Sequence, residues 1–186
     1  MAEPTSVNDQ ITDSVTQSNV KVLGESPVRP KALQVILCGG LVAGTLDLTA
    51  ACITSWFRAG VGPVRVMQSI ASGLLGAEAY NGGAKTAVLG VALHFLIATV
   101  ATAVFYFASR LLTFLVEHSI TAGLLYGVAV YLFMNFVVLP LSALPQRAAP
   151  PLSGRIIGLL VIMFCIGLPI AVIVRWFSRP YGGATL

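Results

Sequence analysis

Four long apolar runs divide the chain, at residues 33–57, 86–108, 121–141 and 156–174. About 20 such residues cross a bilayer as a helix, so each run predicts a transmembrane helix. Residues 63–79, between the first two runs, follow a different pattern. Val66, Met67, Ile70, Leu74 and Ala77 share one helical face, and Arg65, Gln68, Ser69 and Ser72 share the opposite one. Pro63 suits a first helical turn, and Asn81-Gly82-Gly83 punctuates the end. This helix is too short to span, so it is expected to lie in the interface or to dip in as a re-entrant segment. The predicted fold is all-α: a polytopic membrane protein with four transmembrane helices plus one interfacial or re-entrant amphipathic helix. Residues 1–31 are polar and carry Pro4, Pro27 and Pro30, which predicts a disordered tail before the membrane domain of residues 32–178. Residues 179–186 form a short C-terminal tail. The fourth run has no polar side chain to match those of the other three and reads as a peripheral helix.

Composition sharpens this reading. Of 186 residues, 56% are hydrophobic and only 10% charged, where soluble domains carry about a quarter. The net charge is +4, but the Lys and Arg residues lie singly outside the apolar runs, with no basic patch interleaved with aromatics. That argues for lipid contacts and topology rather than nucleic acid. Four spans put both termini on one side, with Lys21, Arg29, Lys31, Arg110, Arg175 and Arg179. Arg58, Arg65, Lys85, Arg147 and Arg155 fall on the other. The slight excess predicts cytoplasmic termini.

Polar residues inside the runs are the candidate functional sites, because ionisable groups at membrane depth are costly. Asp47 shares its face with Gly40, Ala43, Gly44, Ala50, Ala51 and Thr54, a small-residue face on which another helix can approach closely. His94 shares its face with Ala87, Gly90, Ala98 and Ala101, and Asn135 lies with Tyr131 in the third run. At 1.5 Å per residue, Asp47, His94 and Asn135 fall about 9–15 Å from the same side. The expectation is one polar cluster of Asp47, His94, Asn135 and Tyr131, with Arg65, Gln68 and Glu78 as further contributors and Gly40, Gly44 and Gly90 as packing positions. Such a cluster is either a proton- or ion-responsive site or an interhelical hydrogen-bond clamp.

The sequence holds no Gly-rich phosphate loop, H-E-x-x-H or G-x-S-x-G, so no enzyme is predicted. Cys38, Cys52 and Cys165 sit in apolar runs without ligand spacing, so neither metal nor other cofactor is expected. GGLVAGTLDLTAA at 39–51, VMQSIASGLLG at 66–76, GVALHF at 90–95 and YGVAVYLFMNFVVLPLSA at 126–143 together resemble small bacterial inner-membrane proteins of the YagU-like kind. The resemblance covers about residues 35–180. It implies a multi-pass inner-membrane location and, loosely, a part in acid resistance; it supplies no catalytic residues. Two functions of different class follow. One is a small-solute or proton-responsive transporter or channel, working as a homo-oligomer because four helices enclose little space. The other is a non-conducting structural or stress-related membrane protein.

Overall fold

The computed structural model describes residues 32–143 and 151–178; the tails expected at 1–31 and 179–186 lie outside the described residues. The fold is all-α. Helix α1 is Ala32–Ala59, α2 is Pro63–Leu75 followed by a 3-10 turn Gly76–Tyr80, and α3 is Gly83–Leu111. The short α4, Phe114–Glu117, precedes α5, Ser119–Leu141, and α6 is Leu152–Ser178. Helices α1, α3, α5 and α6 are each long and apolar enough to cross a membrane. Each runs a few residues past its apolar stretch, because helical hydrogen bonding continues into the headgroup region.

The packing follows the glycines. A Cβ on Gly40 would stand 2.8 Å from the Thr99 Cα, and one on Gly44 would stand 2.8 Å from the Phe95 ring, so α1 and α3 meet almost backbone to backbone. Lipid tails give no hydrophobic drive between helices, so this close dispersion contact holds them together. Gly123 and Gly127 of α5 face Gly167 of α6 in the same way. A Cβ on Gly127 would lie 2.5 Å from the Met163 Cα.

Far from being peripheral, α6 is central. Its Ile170, Ala171 and Val174 are among the most buried residues and join Val35 and Ala43 of α1, Phe105 of α3 and Ala122 of α5 in the core. A helix without polar residues can be either the outermost or the most enclosed of a membrane bundle, since lipid and core are equally apolar.

Both α5 and α6 contain one wide, π-helical turn, at Met134–Val138 and Met163–Gly167. Their cause is written in the sequence. Each turn is followed by Leu-Pro, and the leucine N–H donates to the carbonyl five residues back, Leu139 to Met134 and Leu168 to Met163. Pro140 and Pro169 have no N–H, and an ordinary turn would drive the ring into the carbonyl four residues earlier. Widening the turn relieves that clash.

Across the bundle, the Tyr126 hydroxyl of α5 donates to the Ala101 carbonyl of α3 at 2.6 Å, with the Tyr126 ring edge-on to Phe105. Interhelical hydrogen bonds in membranes contribute about 0.6–1.7 kcal/mol. Tyr126→Phe should therefore lower the stability by that amount in thermal unfolding in detergent. An unchanged melting temperature would mean that the bond contributes nothing net.

At 13 residues, α2 is too short to cross. It leans on α3, where Gly90 has no room for a Cβ beside the Met67 carbonyl. The Gly73 carbonyl accepts from the Ala143 N–H at 2.8 Å, tying α2 to the end of α5. Its polar Gln68 and Ser72 are buried, together with Val66 and Ala71, while Val64, Leu74 and Leu75 are exposed. The apolar exposure and the polar interior suit a helix whose outer surroundings are lipid.

Candidate functional site

Asp47 and His94 come together. Asp47 lies 12 residues before the end of α1 and His94 lies 11 residues into α3, both about 17 Å from the same side. The His94 Nε2 stands 3.9 Å from the Asp47 Oδ2, and the two side chains are only 13% and 16% exposed. Neither faces open lipid.

The hydrogen bond, however, goes elsewhere. His94 Nε2 lies 2.9 Å from the Gly44 carbonyl. A carbonyl only accepts, so Nε2 carries a proton and donates it to Gly44. The 3.9 Å approach to Asp47 is an electrostatic contact at beyond hydrogen-bond length. Gly44 makes this geometry. Without a Cβ it lets Phe95 and Ala98 seat against α1, which brings the neighbouring imidazole within reach of the backbone. Phe95 also stands edge-on to the His94 ring, at 5.7 Å and 81°.

The third wall is α6. Its wide turn packs against α1. The Leu168-Pro169 step was the legible signal of that turn. Wide turns of this kind often accompany functional sites.

Asn135 and Tyr131 are placed apart from the pair. Asn135 is six residues from the end of α5, about 9 Å in, and so shallower than Asp47 and His94. Its Nδ2 donates to the Tyr131 carbonyl of its own helix at 2.8 Å. Both residues line a cavity of about 470 Å³ between α5 and α6, with Leu132, Phe136, Arg155, Ile156 and Leu159.

The three contributors expected from the amphipathic segment also stay local. Gln68 Nε2 donates to the Gly83 carbonyl at 3.1 Å, the Arg65 guanidinium lies 4.4 Å over the Tyr80 ring, and Glu78 accepts from the Asn81 amide at 3.3 Å. They fasten α2 and its following turn to the start of α3. Of the packing glycines, Gly40 and Gly44 face α3, and Gly90 faces α2. Gly123, Gly127 and Gly167, which make the closest approach between α5 and α6, were not singled out from the sequence, although Gly123-x-x-x-Gly127 has the same spacing as Gly40-x-x-x-Gly44.

The site offers one carboxylate and one imidazole, held by two helices near mid-membrane. That set can bind, release or respond to a proton. No group of three or more His, Cys, Asp or Glu suited to a metal ion occurs among the described residues.

A model of the RebB family, described as a killing trait, matches residues 11–35. The match thus covers residues 11–31 of the N-terminal segment and the first four residues of α1. No curated protein and no solved structure matches the chain.

Proposed function

We propose that this chain is a proton-responsive multi-pass protein of a bacterial inner membrane, with Asp47 and His94 as its titrating pair and a small-solute or proton flux as its output. One observation carries the reading: two ionisable side chains, on different helices, meet at 3.9 Å where both are enclosed. Unperturbed histidine changes charge between about pH 5 and 8, so a carboxylate–imidazole contact is a candidate proton-responsive element. The YagU-like resemblance and its loose link to acid resistance agree with a protein that answers to acid.

The test is flux in proteoliposomes. The full chain is reconstituted with an internal pH-sensitive dye, and the rate of proton entry is followed from pH 8 to pH 5. The expected result is a rate above that of empty vesicles which changes steeply across the histidine window. A rate equal to empty vesicles at every pH favours the non-conducting, structural class instead.

The RebB match supplies a second reading, in which the N-terminal segment takes part in a killing trait. A growth-inhibition assay comparing cells that express the full chain with cells that express residues 32–186 separates the two, because the proton-response reading does not need residues 1–31.

A further inference from the structure

We propose that the cleft between α5 and α6 is a binding site for one anionic phospholipid, its phosphate held by Arg155 and an acyl chain laid against Leu132, Phe136, Ile156 and Leu159. This inference is independent of the Asp47–His94 reading.

The cleft follows from how the two helices pack. They touch backbone to backbone at Gly123, Gly127 and Gly167. Toward the end of α5 and the start of α6 the contacts widen. At Gly158 an added Cβ would find only the Tyr131 ring, at an ordinary 3.6 Å. Beyond lies the cavity of about 470 Å³, within the range of about 300–1,000 Å³ typical of small-molecule sites. Phe136 and Ile156, on its walls, are exposed on the outer surface of the bundle, so the cleft opens toward lipid.

Charge and depth identify the occupant. Arg155 is the fourth residue of α6, and α6 at 27 residues is about 40 Å long, some 10 Å more than a hydrocarbon core. Its first turn therefore lies at headgroup level. Arginine matches phosphate with a planar fork of five donors, which leaves capacity for a lipid beside any contact within the protein. On the α5 wall Asn135 and Tyr131 add one amide and one phenol, about 9 and 15 Å from the end of that helix, among the apolar Leu132 and Phe136. On the α6 wall Ile156 and Leu159 follow Arg155. A cation at the rim over mainly apolar walls matches a phosphate and an acyl chain. Basic pockets between membrane helices select anionic headgroups.

Native mass spectrometry of the full chain in detergent tests the proposal. The probes are dioleoylphosphatidylglycerol, dioleoylphosphatidylcholine and inorganic phosphate. Phosphatidylglycerol should bind saturably with one high-affinity molecule per chain, at least tenfold tighter than phosphatidylcholine. Inorganic phosphate should not compete. Arg155→Gln should bring the two lipids to within about twofold of each other. Leu159→Trp, which fills the floor and keeps the charge, should weaken both. Circular dichroism melts verify that each variant is folded, and Leu159→Trp stands alone if Arg155→Gln does not fold. Equal binding of the two lipids by the parent would overturn the proposal. So would competition by free phosphate, full phosphatidylglycerol affinity in either folded variant, or loss of a dimer on Arg155→Gln, which would give the cleft to a second copy of the chain.

Discussion

Asp47→Asn should fold like the parent and lose the pH dependence of flux altogether. The folding half rests on where the His94 hydrogen bond goes. Breaking a buried ion pair by removing one partner usually costs about 3–5 kcal/mol, because the other charge is left alone. Here the His94 Nε2 donates to the Gly44 carbonyl and keeps that bond whatever occupies position 47. The loss in stability should stay below about 1–2 kcal/mol, the scale of a polar contact between membrane helices. The functional half rests on the amide, which has no proton to exchange near neutral pH. A double-mutant cycle with His94→Gln adds a sharper reading. With the two side chains 3.9 Å apart, the coupling energy should exceed the roughly 0.3–0.5 kcal/mol found for independent sites. If Asp47→Asn keeps the parent's pH profile, the pair is a clamp and the proton-response reading fails.

A large loss of stability should come from Gly167→Ala. An added Cβ would run into the Gly123 carbonyl and would stand 2.7 Å from the Gly127 nitrogen and 2.8 Å from its Cα. All three are backbone atoms, and no flexible side chain can swing aside. The two helices must separate, which undoes their closest contact and loosens the core at Ile170 and Ala171. Overpacking costs about 1–3 kcal/mol and occasionally more; with backbone on every side, about 3 kcal/mol or more is expected here. Gly158→Ala on the same helix is the control. Its Cβ meets only the Tyr131 ring at 3.6 Å, and helix propensity favours alanine over glycine by up to about 1 kcal/mol. The melting temperature in detergent should fall steeply for the first variant and hold or rise for the second. Equal shifts would show that the glycine contact does not hold α5 to α6.

The all-α membrane class was legible because about 20 apolar residues in a row have few other uses. The meeting of Asp47 and His94 was legible because depth along a helix is simple arithmetic, and the small residues beside each marked its packing face. The place of Asn135 was not. Its depth of about 9 Å lies within the expected range, but which neighbour it faces depends on a segment that widens at Met134–Val138, which spacing does not reveal. The central place of α6 was hidden for a different reason. Periodicity distinguishes inside from outside only where the outside is water, and around α6 both are apolar. What remained visible was the pair of Leu-Pro steps, and both wide turns follow from them.

Those turns also bear on how this chain tolerates changes of length. Each residue of an α-helix advances its surface by about 100°, so a residue gained or lost inside a span turns everything beyond it toward new neighbours. In α6, Ile170 and Val174 lie just past the wide turn at Met163–Gly167 and face the core only because that turn carries its extra residue. A chain one residue shorter there would still be long enough and apolar enough to cross the bilayer. It would present those two side chains to lipid and hand the core a different stripe. Insertions and deletions should therefore accumulate in the connection around residues 60–62, and the distance in sequence from Gly123 to Pro140 and from Met163 to Pro169 should be held constant wherever this fold recurs.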